Sequence, residues 1–275
     1  MFLNKVKASF RIPLKLKFYL FLSKFFKKKN TTTFSLDKPK DVRKGEEFPI
    51  EPLTNYLISQ GFDTDGLSVK QFPSGYSNLT YFLSTNKNEY VLRRPPFGAD
   101  SLKGGHDMSR EYKVLSKLKA EFKKVPDVHL YTEDKSIIGA PFYLMDCVKG
   151  YIIRPDLSQE NAPDADTISK ISDSLIDTLV SLHQVDIAKS GLSDFGKIDG
   201  YISRQVSGWT KRYFHAKTHT IPEMEFVAKW LSENQPKESD KAIIHNDFKY
   251  DNAVLDIDDP TKVISVLDWE MATLG

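Results

Sequence analysis

The chain has 275 residues, of which 40% are hydrophobic and 28% are charged, a composition typical of a globular protein with a sizeable core. Its single cysteine, Cys147, excludes an intrachain disulfide, fits a reducing compartment and leads us to expect a cytoplasmic location. The net charge of +2 hides an asymmetry, because residues 1–36 carry nine basic and no acidic side chains. The remaining residues carry 30 basic and 37 acidic side chains, which argues against a nucleic-acid-binding surface.

Residues 1–36 form a basic and apolar extension that we expect to lie outside the fold. Its apolar run Phe18–Ser23 is too short to cross a bilayer. Three interpretations remain open. The extension is an organelle-targeting peptide, or a segment whose residues 1–30 make a weak contact with a membrane surface, or upstream sequence with no folded role.

The first half of the chain predicts a small sheet with one long helix, preceded by a polar linker over Asp37–Pro52. Apolar residues recur at helical spacing from Met108 to Phe122, and short β-prone runs are separated by turn residues. The predicted elements are a short helix over Glu51–Gly61, strands over Val69–Phe72, Thr80–Ser84, Tyr90–Arg94, Val128–Tyr131 and Phe142–Val148, and the helix Met108–Phe122.

The second half predicts helices over Asp164–Val185, from about Gly200, and over Pro222–Asn234, followed by two short strands near Val254 and Val263–Leu267. Apolar stripes place Trp209 and Trp230 in the core. The order favours an α+β fold of two lobes, with an N-lobe of antiparallel sheet and helix over residues 37–147 and a helical C-lobe over residues 148–275. Sites between two such lobes are common, so we expect the nucleotide to bind there.

The most informative motif is H-N-D-F-K-Y-D-N at residues 245–252, followed by D-W-E at residues 268–270. Transfer of a phosphoryl group from Mg-ATP to a hydroxyl needs a carboxylate that orients the hydroxyl, a nearby cation, and oxygen ligands for magnesium. Asp247 and Lys249 fit the first two roles, and Asn252 and Asp268 fit the metal ligands. The spacing is that of the protein-kinase catalytic loop, and we expect His245 to brace this loop.

Three groups of residues are candidates for binding ATP. Gly75, Ser77 and Asn78 lie in a loop between two predicted strands and can approach phosphates, although any hairpin turn uses such residues. Arg93 on the third strand can clamp phosphates and pair with Glu111 on the following helix. The alternatives are an exposed edge-strand arginine, a clamp by Arg94 instead, and a solvated glutamate.

The segment from Met145 to Val148 joins the two predicted lobes and is our candidate for the adenine slot. An extended linker offers backbone donors and acceptors beside apolar side chains, which an adenine ring requires. The alternative is that Met145 simply fills the core.

The segments FPSGYSNLTYFL, YVLRRPP, SREYKVLSKL, FYLMDCVKG, HNDFKYDN and LDWEMATLG, in this order, resemble the aminoglycoside phosphotransferase family, and most of all the kinase-like domains fused to acyl-CoA dehydrogenases. The resemblance implies a two-lobed protein-kinase-like fold with ATP and magnesium as cofactors. It also implies Asp247 as catalytic base, Asn252 and Asp268 as metal ligands, and Arg93 with Glu111 as the phosphate clamp. Relatives phosphorylate hydroxyls of small molecules, and the fused members favour a hydroxyacyl-CoA.

Two departures from the family pattern give further expectations. Asn246 stands where the family usually has glycine, and we expect the asparagine to be tolerated. The sequence stops at Gly275, where relatives continue, so we expect a fragment with a truncated C-lobe and an exposed apolar patch. The side chains that would lose partners are Ile171, Leu175, Leu179 and Trp209. A non-catalytic nucleotide-binding protein is the competing function, and a protein kinase is a third.

Overall fold

The computed structural model describes residues 36–73, 77–99, 106–154, 162–237 and 240–275. The expectations for residues 1–35 and for Gly75 therefore lie outside the described residues. No helix in the part of the chain that is described has both the length and the apolar character to cross a membrane.

Five antiparallel strands form the N-terminal sheet in the order β1-β2-β3-β5-β4. Alternating side chains put Val91 and Arg93 on one face of β3, with Leu92 and Arg94 on the other. Because β3 lies at the centre of the sheet, Arg93 is not an edge-strand residue, and that alternative is wrong. The strands are β1 (Ser68–Gln71), β2 (Leu79–Ser84), β3 (Glu89–Arg94), β4 (Val128–Thr132) and β5 (Phe142–Asp146).

Three helices accompany this sheet: α1 (Ile50–Ser59), α2 (Met108–Leu118) and α3 (Lys135–Ile138). Helix α2 begins after Asp107, whose carboxylate accepts the N–H of Arg110 as an N-cap. Its buried face includes Glu111 on the first turn, which brings that carboxylate beneath the sheet. The sequence analysis missed α3 because its single turn is too short to show periodicity.

Three longer helices and two small sheets make up the described part of the C-terminal half. Helix α4 packs against both small sheets, contacting β6 in one and β8 in the other, and so supports the loops that they carry. The elements are α4 (Ala165–His183), α5 (Tyr201–Ala216), α6 (Pro222–Glu233), β6 (Ile243–Ile244), a 3-10 turn (Tyr250–Asn252), β7 (Ala253–Leu255), β8 (Val263–Val266) and β9 (Thr273–Leu274). Strand β6 pairs with β9, and β7 pairs with β8.

The segment predicted as a linker is ordered structure packed on both halves of the molecule. Asp37 forms an ion pair with Arg154, and Lys40 makes a backbone bridge to Gln71. Phe48 is buried, and its ring packs edge-on against Tyr81 at 4.9 Å between centroids. The linker prediction is wrong because one buried aromatic within a polar, proline-containing stretch gives no periodic signal.

The prediction that Trp209 and Trp230 are core residues is also wrong. Their exposed fractions are 59% and 48%, and neither α5 nor α6 has a buried residue. Helical periodicity identifies an apolar face but not the element that covers it. The large exposed apolar side chains of α5 and α6 are Trp209, Phe214, Met224, Phe226, Val227, Trp230 and Leu231.

Helix α4 was expected to expose part of its apolar stripe, but this stripe is mostly buried. Ile171 and Leu175 are buried, Leu179 is half-buried, and of the four side chains expected to lose partners only Trp209 is exposed. The reason is the contact of α4 with β6 and β8, which covers its apolar stripe.

One hydrophobic cluster joins the N-terminal sheet to the C-terminal half. It includes Val91 and Leu115 on the N-terminal side with Val266 and Trp269 on the other. A second cluster, containing Leu53 and Phe142, lies between the sheet and α1. The shared cluster fixes the ends of β3, α2 and β8 relative to one another, and the candidate site lies where these ends meet.

Gly150 lies where the connection that follows β5 packs closely against β7. A Cβ at this position would lie 2.3 Å from the carbonyl oxygen of Leu255, so the backbone would have to move. We expect Gly150→Ala to lower the free energy of unfolding by about 1–3 kcal/mol. Gly208, in the interior of α5, has nothing within 4 Å of its Cβ position, and Gly208→Ala should instead raise stability by about 1 kcal/mol through helix propensity. Urea unfolding measures the free energy of unfolding of both variants. Equal changes in Gly150→Ala and Gly208→Ala would contradict the close packing at Gly150.

Candidate active site

The Arg93 guanidinium connects three elements at the centre of the site. Its Nη1 donates to Glu111 Oε1 at 2.8 Å, and its Nη2 donates to Asp268 Oδ1 at 2.9 Å. Glu111 Oε1 also accepts the backbone N–H of Trp269 at 3.0 Å. Strand β3, helix α2 and the segment after β8 are therefore held together by one cation and one buried carboxylate.

Burial and ion pairing have opposite effects on the pKa values of the charged groups in this cluster. Burial lowers the pKa of Arg93, but the carboxylate of Glu111, the hydroxyl of Tyr143 and the carboxylate of Asp268 together outweigh it and hold that pKa above its usual range. Burial raises the pKa of Glu111 to about 7, against the opposing charge of Arg93. Glu111 Oε2 and Arg93 Nε are buried without hydrogen-bond partners, so the cluster depends on its ion pairs for compensation.

Asn246 sets the backbone path of the loop at residues 245–252. Its φ of 66° lies in the left-handed region, where glycine and asparagine are the least strained residues. Its side chain is held at both ends, accepting from Tyr201 Oη at 2.9 Å and donating to the carbonyl of Met271 at 3.0 Å. This explains physically why asparagine is accommodated where the family usually has glycine.

Asp247 is oriented by two donors on the same oxygen. Its Oδ2 accepts from Asn252 Nδ2 and from Lys249 Nζ, each at 2.9 Å. The hydrogen bond to Asp247 raises the pKa of Lys249, so this amine stays charged at neutral pH. The Asp247 side chain is 32% exposed, which leaves it accessible from solvent.

Asn252 and Asp268 lie side by side because the backbone joins their segments. The N–H of Leu267 donates to the carbonyl of Asn252 at 2.8 Å, and Asp268 follows with a left-handed φ of 66°. His245 braces the same junction, since its Nε2 donates to the carbonyl of Leu267 at 3.0 Å and its Nδ1 accepts the N–H of Asp247 at 3.3 Å. Burial lowers the pKa of His245, which favours the neutral ring that these two bonds require.

Ser77 and Asn78 approach the site from the loop between β1 and β2. Both donate to Glu270 Oε2, Ser77 Oγ at 3.1 Å and Asn78 Nδ2 at 2.5 Å. His106 Nδ1 lies 3.0 Å from Asn78 Oδ1. Neither Glu270 nor His106 was predicted from the sequence to have a role in the site. Only the position of Glu270 two residues after Asp268 could have drawn attention to it.

The remaining candidate residues are Met145, Val148 and Arg94. Met145 lies on β5, is 6% exposed, and belongs to the cluster that joins the sheet to the C-terminal half. Val148 is half-buried in the connection that follows. Arg94 is 1% exposed and donates to the carbonyl of Ile138 at 2.7 Å on the opposite face of the sheet, so the Arg94 clamp is wrong.

The oxygen donors of Asn252 and Asp268 fit magnesium. This ion prefers oxygen ligands and usually takes one or two protein carboxylates, with phosphate oxygens and waters completing the shell. Asn252 directs its amide nitrogen to Asp247, which leaves the amide oxygen for a metal. Within the described ranges, no group of three or more His, Cys, Asp or Glu side chains could hold a metal by itself.

Comparison with known proteins gives a consistent family and fold. Residues 68–275 match the model of the phosphotransferase enzyme family. Acyl-CoA dehydrogenase family member 11 of Gallus gallus is 39% identical over 244 residues, which cover 86% of this chain and 30% of that protein. The chain thus spans less than a third of the length of this relative.

Solved structures share the kinase-like fold. A Ralstonia eutropha protein described as a candidate aminoglycoside phosphotransferase has 33% sequence identity and a TM-score of 0.72, over 83% of this chain and 67% of that chain. An aminoglycoside phosphotransferase in a ternary complex with ADP and hygromycin B has 15% identity and a TM-score of 0.54, over 80% of this chain and 71% of that chain, which shows the fold alone. The expected α+β, two-lobed kinase-like fold is confirmed.

The buried Glu111 should give stability a measurable pH dependence. Because burial raises its native pKa from 4.5 to about 7, the native state binds a proton more tightly than the unfolded chain. The free energy of unfolding should therefore fall as pH rises from about 5 to about 8, by up to about 3 kcal/mol more than in Glu111→Gln. Urea unfolding of both proteins at the two pH values measures the difference, and parallel pH profiles would show that Glu111 is ionised throughout.

Proposed function

The chain belongs to the phosphotransferase enzyme family, and from this premise we propose that it transfers the γ-phosphoryl group of ATP, with magnesium, to a hydroxyl of a small molecule. The observation that carries the proposal is the meeting of Asp247, Asn252 and Asp268 around the Arg93 ion pairs. Phosphoryl transfer depends mainly on positioning and charge stabilisation, and these four side chains supply both.

Asp247 is the proposed base. Its two structural contacts fall on Oδ2, so we assign Oδ1 to the acceptor hydroxyl, which it orients and from which it takes the proton as the new bond forms. Lys249 Nζ lies 2.9 Å from Oδ2 and places a cation beside the transferred group. Neither role needs a backbone movement, because Asn252 already fixes the Asp247 side chain.

Asn252 and Asp268 are the proposed magnesium ligands. A magnesium ion held by these two side chains would supply positive charge that stabilises the phosphates during transfer. Arg93 holds Asp268 Oδ1 and so fixes the direction of its second carboxylate oxygen. Asn252 is fixed in the same way through Asp247.

The nucleotide is proposed to lie between the sheet and the C-terminal half. Arg93, held by Glu111, is the proposed cation for the phosphates, and Ser77 and Asn78 are the proposed contacts from the loop before β2. The segment from Met145 to Val148 forms one wall of the adenine slot. The ADP and GDP found with structural neighbours of low sequence identity support a nucleotide here through the shared fold.

The proposed acceptor class is a hydroxyacyl-CoA. Its support is the similarity of 86% of this chain to part of a protein named as an acyl-CoA dehydrogenase family member. A screen of ATP consumption with hydroxyacyl-CoAs, choline, sugars and aminoglycosides tests this class against the other hydroxyl acceptors. Turnover with a different acceptor would replace the class and leave the phosphotransferase proposal intact.

Asp247→Asn should lower the turnover number by about 10²–10⁴ with little change in ATP affinity, because the amide orients a hydroxyl but cannot take its proton. Asp251→Asn is the matched control, since it removes an equal charge in the same loop and lies 3.8 Å from Lys249. Its rate should stay within about tenfold of the parent. Single-turnover kinetics with the acceptor from the screen measure both.

An unaltered rate in Asp247→Asn would remove Asp247 from the base role. If no acceptor is phosphorylated and the protein binds nucleotide independently of magnesium, a non-catalytic nucleotide-binding function replaces the enzyme.

A further inference from the structure

Glu270 connects the loop before β2 to the segment that carries Asp268. Its Oε2 accepts two side-chain donors, Ser77 Oγ at 3.1 Å and Asn78 Nδ2 at 2.5 Å. The donors lie more than 190 residues away in sequence. A carboxylate acceptor makes stronger hydrogen bonds than a neutral one, so this contact is a firm tie between the two halves of the site.

The direction of the Asn78 amide is set by a second contact. Its Oδ1 lies 3.0 Å from His106 Nδ1, and an amide oxygen can only accept, so the histidine carries its proton on Nδ1 and donates it. This leaves Nδ2 directed at Glu270. Asn78 is fully buried, and turning the amide over would direct its oxygen at the Glu270 carboxylate, which places two acceptors against each other.

The backbone on the Glu270 side is equally constrained. The preceding residue, Trp269, is fully buried, and its N–H is held by Glu111 Oε1 at 3.0 Å. Glu111 also holds Arg93, which holds Asp268. A displacement of the Ser77–Asn78 loop is therefore transmitted through Glu270 to the backbone that carries the proposed metal ligand.

We propose that Glu270 is a positioning residue that fixes the Ser77–Asn78 loop over the Asp268 turn and so couples phosphate binding by the loop to the geometry of the metal site. This role rests on the proposed function, because it concerns the same nucleotide. His106 completes it by orienting the Asn78 amide. Glu270 acts through Ser77 and Asn78, so its effect extends to nucleotide affinity measured without a metal.

Exchanging the donor and the acceptor tests this contact. Asn78→Asp places two carboxylates against each other, and we expect it to weaken ADP binding without magnesium by about tenfold or more. Glu270→Gln keeps an acceptor oxygen and should cost about threefold. In the double variant the new amide at position 270 can donate to the new carboxylate at position 78, and the affinity should return to within about threefold of the parent. Isothermal titration with ADP measures all four proteins.

The double variant Asn78→Asp with Glu270→Ala is the matched control. It has the same net charge as the exchanged pair but lacks the hydrogen bond, so its affinity should stay low. If it binds ADP as well as the exchanged pair, charge alone explains the rescue and the positioning role is wrong. If Glu270→Gln and Glu270→Ala weaken binding only when magnesium is present, Glu270 acts on the metal instead, which also overturns the proposal.

Hydrogen exchange without nucleotide gives a readout independent of the proposed function. Amides of a peptide covering residues 77–84 should exchange faster in Asn78→Asp than in the parent, and at parental rates in the exchanged pair. Unchanged exchange in Asn78→Asp overturns the contact. If Asn78→Asp does not fold, a double-mutant cycle of Ser77→Ala and Glu270→Ala replaces it. Effects on ADP affinity that simply add in the double variant would likewise overturn the proposal.

The two proposals fail in different ways. A parent protein that does not bind ADP or ATP, while exchange responds to the variants as expected, refutes the nucleotide function and leaves only a structural tie. A parent that binds nucleotide, with Asn78→Asp, Glu270→Gln and the exchanged pair all at the parental affinity, refutes the positioning role and leaves the proposed function standing.

Discussion

A single buried guanidinium organises the site. Arg93 lies on the central strand of the sheet and pairs at once with Glu111 on α2 and Asp268 beyond β8. Removing one member of such a buried group leaves an uncompensated charge, which is far more costly than the group is stabilising. The alignment of the sheet, helix α2 and the segment after β8 therefore depends on all three residues together.

An arginine suits this position better than a lysine. Its planar fork donates from Nη1 to one carboxylate and from Nη2 to the other, whereas a lysine amine would present a point charge on a flexible stem. The same fork stays charged in a buried place, because guanidinium is rarely deprotonated. Protein kinases use a strand lysine to clamp the phosphates, and we propose that Arg93 meets the same requirement with a more rigid cation.

Two left-handed residues then turn the neighbouring loops toward the guanidinium. Asn246 and Asp268 each have φ of 66°, a conformation that costs non-glycine residues free energy unless surrounding contacts hold it. Asn246 is held by Tyr201 and Met271, and Asp268 is held by Arg93. The strained backbone thus lies at Asp268 itself and one residue before Asp247.

The sequence predicted what local spacing determines. Asp247 and Asn252 lie in one loop, so their proximity follows from the motif, and the alternation of β3 correctly separated Arg93 from Arg94. The tie from Glu270 to the loop before β2 could not be predicted, because no periodicity relates residues so far apart. The exposure of Trp230 was missed for a different reason, since an apolar stripe does not reveal what covers it.

The proposed function depends most on Asp268 as a magnesium ligand in a nucleotide site. Isothermal titration of ADP with and without magnesium, into the parent and Asp268→Asn, tests it most directly. We expect magnesium to strengthen ADP binding to the parent by about tenfold or more, and Asp268→Asn, which keeps an acceptor oxygen for Arg93, to lose most of this increment. Equal affinity of the parent with and without magnesium would contradict it.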